Sequence, residues 1–158
     1  SAAWGGGHGE GGSATAGNDI LERKLQMDLH ATALSLVPHN WNVCPDVGKV
    51  YGSTGLVDMW VSSPDRAVQW ALEFLRNGSD LREHERRFEP GGKYHNLPHT
   101  EFAVIDFRMP NSPRPRARPG QHATHFVLFN DGYQKASMIR AHDLSVIWGP
   151  DSLLGHSY

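Results

Sequence analysis

The sequence predicts an α/β domain: a mixed central β-sheet flanked by helices. Three observations predict it. Two stretches carry apolar residues at helical spacing, and short runs rich in Val, Ile, Trp and Phe stand between and after them. The order reads helix, three strands, helix, then further strands. Between two of the late strands, Asn130-Asp131-Gly132 is a strong hairpin signal.

The elements follow in order. Residues 1–18 (SAAWGGGHGEGGSATAGN) are low in complexity and are expected to be a flexible Gly-rich leader; they have no apolar stretch of the kind a secretory signal needs. Residues 19–158 are expected to form a single domain. The spacing predicts a first helix from Asp19 to Leu36, with Asp19 and Glu22 as a capping box and Leu21, Leu25, Leu29 and Leu36 as its apolar stripe. Pro38 ends it. Asp28 falls at the edge of that stripe, a costly place for a carboxylate without a partner.

Strand character follows in Val43–Tyr51, broken by Pro45 and Gly48, and in Leu56–Val61. The turn composition of Ser62–Arg66 joins Leu56–Val61 to Ala67–Leu75, which predicts a hairpin. A second helix is expected over Asp80–Phe88, with Asp80 and Glu83 as its capping box, stopped by Pro90-Gly91-Gly92. Glu101–Arg108 reads as a buried strand and residues 110–123 as a Pro/Arg loop. Thr124–Phe129, Tyr133–Arg140 and Leu144–Trp148 complete the sheet.

Two residues stand out chemically. Asp58 interrupts the apolar strand LVDMWV, and Glu73 interrupts WALEFL. Charged side chains are almost never fully buried without partners. In the expected hairpin Asp58 falls near the register of Glu73, and the alternation of the second strand makes both of its faces apolar. Two carboxylates close together repel unless one is protonated or a cation lies between them. A magnesium or manganese ion held by the pair meets that need, with Asp28 as a third carboxylate.

The stretch GLVDMWV, WALEFLRNG, LREHERRF, GGKY, EFAVIDFR and HFVLF, in that order from about Leu25 to Val146, resembles the nuclease module at the C-terminal ends of Crinkler-type effector proteins of oomycetes and fungi. That family is similar to PD-(D/E)XK nucleases. The resemblance implies a restriction endonuclease-like core, a metal held by Asp58 and Glu73, and Asp28 in place of an acidic residue on the first helix. It implies phosphodiester hydrolysis on nucleic acid, DNA favoured, in the nucleus or cytoplasm of a host cell, with upstream domains or host proteins as further partners. One position departs from the pattern: Leu75 stands where a lysine is expected two residues after the glutamate.

Other basic groups are therefore candidates for steadying the attacking water: His84, Lys93, Arg76 and Lys49. His84 shares the stripe of Leu81 and Phe88 and is expected to face the body of the domain. Arg82, Arg86 and Arg87 are expected to point outward toward backbone phosphates, with Arg76 and the loop residues Arg114, Arg116 and Arg118 as further contacts. The rival reading is a nuclease fold without catalysis, kept as a nucleic-acid or host-protein binding module; Leu75 favours it, the carboxylates favour the enzyme.

Composition narrows the rest. A net charge of −2 argues against indiscriminate polyanion binding while allowing a local basic face. The single cysteine, Cys44, builds neither a disulfide framework nor a cysteine zinc site. The histidine pairs His95/His99 and His122/His125 lack the setting of a zinc centre, and His39-Asn40 and His95-Asn96 lack the ββα setting of an HNH nuclease. No apolar run reaches the ~20 residues of a membrane span.

Overall fold

The computed structural model describes the backbone of residues 13–152 and the side chains of 23–49 and 51–152. Its elements are α1 (Ser13–Leu36), β1 (Asn42–Val47), a single 3₁₀ turn (Lys49–Tyr51), β2 (Val57–Ser62), β3 (Gln69–Arg76), α2 (Leu81–Arg86), β4 (Glu101–Arg108), β5 (Thr124–Asn130), β6 (Lys135–Arg140) and β7 (Val146–Ser152). The strands form one seven-stranded mixed sheet in chain order. β1–β2–β3 is an antiparallel meander. β4 joins β3 in parallel and β5 joins β4 in parallel, while β6 and β7 continue antiparallel. The expected hairpin across Ser62–Arg66 and the one at Asn130-Asp131-Gly132 are both present. No described helix is long and apolar enough to cross a membrane.

Strand alternation sorts the apolar residues onto two faces. On one, Val43, Met59, Val61, Phe74 and Phe107 pack with Leu25, Leu29, Ala33 and Val37 of α1 and its end. On the other, Trp60, Ala71, Leu75 and Val104 pack with Leu81 of α2 and with Phe88 and Tyr94 beyond it. Phe88 stacks on Phe102 with ring centroids 4.3 Å apart, which anchors the end of α2 to β4. Both faces of β3 are covered, so its interior reads as one apolar run broken only by Glu73.

Three local expectations are corrected. α1 begins at Ser13, so Asp19 lies inside the helix rather than at its cap; the helix formers Ala14 and Ala16 carry it back into the segment read as leader, of which residues 1–12 lie outside the described residues. Asp80 precedes α2 but makes no side-chain cap; its backbone is left-handed (φ 51°) rather than in the extended conformation usual for a capping residue. Its intended partner Glu83 is held by Arg87 and Lys93 instead. Pro45 does not break β1, because β1 is the edge strand of the sheet, where a missing N–H costs little.

The chain leaves α2 through a tight passage at Gly92. A Cβ there would sit 2.3 Å from the Arg86 carbonyl oxygen and 2.5 Å from that of Arg87, both backbone atoms that cannot step aside. We expect Gly92→Ala to destabilise the domain by about 1–3 kcal/mol, read as a lower urea midpoint at unchanged m-value.

Candidate functional site

The site begins with a cost. Glu73 is completely buried on the α2 face of β3. A carboxylate there needs hydrogen bonds and a counter-charge. α2 and the segment after it supply both. His84 Nδ1 lies 2.5 Å from Glu73 Oε2, and Arg87 Nη1 donates to the same oxygen at 3.0 Å. The Tyr94 hydroxyl reaches Glu73 Oε1 and also lies 2.7 Å from the Leu56 carbonyl oxygen. Burial first, and then the adjacent Glu73 charge, push the Tyr94 phenol well above its ordinary value of 10. It therefore acts as a fixed donor.

Arg87 is shared. Its Nε donates to Glu83 Oε2 at 2.6 Å, and Lys93 Nζ holds Glu83 Oε1 at 2.7 Å. The hydrogen bond from Arg87, aided by Lys93, lowers the Glu83 pKa from 4.5 to about 2. Burial works against the charge on Arg87, but Glu83 and Glu73 outweigh it and raise its pKa above the ordinary arginine value.

Two further carboxylates are buried nearby, one on β4 and one on α2 itself. Asp106 of β4 is fully enclosed; it accepts from the Gly78 N–H at 2.9 Å and from Arg108 Nε at 2.6 Å. Burial raises its pKa, against the pull of Gly78 and Arg108, and the field of His84 reaches it too. Glu85 of α2 faces inward and is gripped by both Arg118 Nε, at 3.0 Å, and Arg118 Nη2, while Thr124 donates to it at 2.9 Å. Each buried carboxylate thus has an arginine: Glu73 with Arg87, Asp106 with Arg108, Glu85 with Arg118.

Asp58 goes elsewhere. The ladder between β2 and β3 ends at Met59–Leu72, one step short of a pairing with Glu73. There the alternation of β2 is lost: Val57 joins the core beneath α2, and Asp58 turns toward α1. Its Oδ2 accepts the Phe74 N–H at 2.7 Å, and its Oδ1 accepts from Gln26 of α1 at 2.9 Å. The Arg23 guanidinium, bound to Asp46, feels the Asp58 charge as well.

A divalent ion shared by Asp58 and Glu73 needs both carboxylates aimed at one point with oxygens to spare. Here one addresses α1 and the other is saturated by Tyr94, His84 and Arg87, so the residues as arranged do not fit such an ion. Asp28 pairs with Lys24 at 2.7 Å on the exposed side of α1. Among the described residues no three His, Cys, Asp or Glu side chains group as a ligand set.

The remaining candidates fall in three places. His84 faces the body as expected, 15% exposed. Arg87 and Arg118, expected outside, are instead drawn inward by Glu73 and Glu85. Lys93 bridges to Glu83 at the rim. Arg82 and Arg86 are exposed on α2, Arg114 and Arg116 on the loop, and Lys49 on the 3₁₀ turn. Arg76 lies on the α1 side, lining a small depression with Asp28. Sequence reasoning missed Tyr94, Asp106, Arg108, Glu85 and Thr124. Asp106 carried the same signal as Glu73, a carboxylate inside an apolar run (EFAVIDFR); Glu85 and Tyr94 sit among polar and glycine neighbours that hide their burial.

Compared with protein-family models, with curated proteins and with solved structures, the chain matches none.

The Tyr94 hydroxyl ties β3 to the segment behind α2. We expect Tyr94→Phe to cost about 1–3 kcal/mol of stability by leaving a buried Glu73 oxygen short of a donor, measured by urea unfolding at neutral pH.

Proposed function

We propose that the chain is a nuclease-like domain that binds the phosphate backbone of nucleic acid, DNA before RNA, on the face where α2 crosses the ends of β3 and β4. One observation carries the reading. Arg82, Arg86, Arg108 and Arg118 line a single depression of about 540 Å³ beside Gly78, together with Asp80 and with Glu83, whose charge Arg87 and Lys93 already meet. Arg108 and Arg118 are held in place by Asp106 and Glu85, and guanidinium groups fixed in this way suit phosphate oxygens. Arg82 and Arg86 have no ion-pair partner among the described residues and stay exposed at the rim.

This reading takes the mixed sheet, with Asp58 and Glu73 on neighbouring strands and a helix on each face, as a restriction endonuclease-like core. An effector acting on a host's nucleic acid, alongside upstream domains or a host protein, is the setting that goes with it. Magnesium-dependent hydrolysis would require Glu73 to exchange Arg87 and His84 for the ion. Binding requires no such rearrangement, and Leu75 in the lysine position points the same way. The geometry therefore supports a binding module of nuclease descent over a magnesium nuclease.

The test is fluorescence anisotropy with labelled DNA across a salt series in EDTA. We expect measurable binding whose slope of log K against log salt becomes shallower by about 2 in the Arg82→Ala/Arg86→Ala variant, since each lost phosphate contact removes roughly one. An unchanged slope and affinity in that variant would place the nucleic acid elsewhere or nowhere.

A further inference from the structure

The Pro/Arg loop after β4 returns to the sheet at residues 118–122, against the turn that joins β6 to β7. That turn is tightly closed. The Arg140 N–H donates to the Ser145 carbonyl oxygen at 2.9 Å, and the Leu144 N–H to that of Arg140 at 2.9 Å. Asp143 Oδ1 accepts from both the amide and the hydroxyl of Ser145. The loop docks on this turn at three points. The Arg118 N–H donates to the Ala141 carbonyl oxygen at 2.7 Å. The Gly120 N–H donates to His142 Nδ1 at 2.9 Å. The His122 ring lies against the His142 ring, with centroids 4.1 Å apart and planes 34° from parallel.

Two of these three contacts depend on an uncharged imidazole. An amide N–H can only donate, so His142 Nδ1 presents a lone pair and the ring proton sits on Nε2. Protonation places a hydrogen on Nδ1 and sets a donor against a donor. When His122 is charged as well, two cations face each other ring to ring. A released loop bears neither cost, so by linkage acid favours release.

The charges around the pair do not supply a substitute acceptor. Asp143 is engaged by Ser145, and Arg140 adds positive charge while donating to the Ser145 hydroxyl at 3.0 Å. His125 of β5 stands opposite Arg140 in the ladder; burial, and then Arg140, hold it below the ordinary histidine range. The Arg118 guanidinium is turned to Glu85.

We propose that His142 and His122 form a pH-operated catch. It holds the end of the Pro/Arg loop on the β6–β7 turn at neutral pH and lets go as the imidazoles take up protons, leaving that end to the ties of Arg118. The loop carries the exposed Arg114 and Arg116, so the catch sets how firmly a basic stretch is presented. It stands independently of the phosphate reading above.

The test is NMR amide exchange at Gly120, expressed as protection over the intrinsic rate, from about pH 7.5 to about pH 5, where imidazoles change charge. The His142 ring titration is followed in the same samples. We expect protection to fall about fivefold, the effect of one hydrogen bond, with the midpoint at which the His142 ring titrates. His142→Asn puts an uncharged acceptor, Oδ1, in the place of Nδ1 and should keep the protection at the acid end. His142→Ala should lack it already at neutral pH. Wild-type protection that stays flat across the range, falls with a different midpoint, or falls equally in His142→Asn overturns the proposal. So does a His142→Ala variant as protected as the wild type at neutral pH.

Discussion

The burial of Glu73 is the constraint on which the rest depends. A carboxylate at the centre of an apolar strand, covered on both faces of the sheet, is tolerable only with donors and a positive charge beside it. That requirement explains why α2 lies where it does. Its His84 and the following Arg87 must reach Oε2, and the chain must then turn through Gly92 to bring Tyr94 to Oε1. The same solution is repeated twice nearby, at Asp106 and at Glu85. Through Arg118 it pins down a loop that has little apolar content of its own.

These three pairs also decide what the surface offers. An arginine that neutralises a buried carboxylate is held still, and a still guanidinium with spare donors makes a better phosphate contact than a mobile one. The domain can therefore carry a net charge of −2 and still present a local arginine-lined depression. The two exposed arginines of α2 supply the charge that the internal pairs do not cancel.

Much of this architecture was legible in the residues. β4 was readable to its ends as Glu101–Arg108, because an unbroken apolar run between turn signals has few alternatives. The hairpins followed from their turn residues. Glu73 announced itself as a charge inside a strand with two apolar faces. What could not be read was long-range pairing. Asp58 and Glu73 would be the next pair of the β2–β3 ladder, yet the ladder ends at Met59–Leu72 and Asp58 turns to Gln26 of α1. Arg87 and Arg118 looked like solvent-facing arginines because their partners lie 14 and 33 residues away along the chain. The capping role given to Asp80 and Glu83 failed for a related reason: Arg87 and Lys93 offered Glu83 stronger partners than a backbone N–H.

The central claim is that Glu73 is locked by its own side-chain partners rather than waiting for a metal. Urea unfolding of the wild type and of Glu73→Gln, each in EDTA and in excess magnesium, measures this directly. A locked Glu73 makes the variant less stable in EDTA by about 3 kcal/mol, the scale of breaking a buried ion pair, and leaves the wild-type midpoint unmoved by magnesium. A variant as stable as the wild type or more so in EDTA, together with a wild-type midpoint that climbs with magnesium as mass action demands, would contradict it.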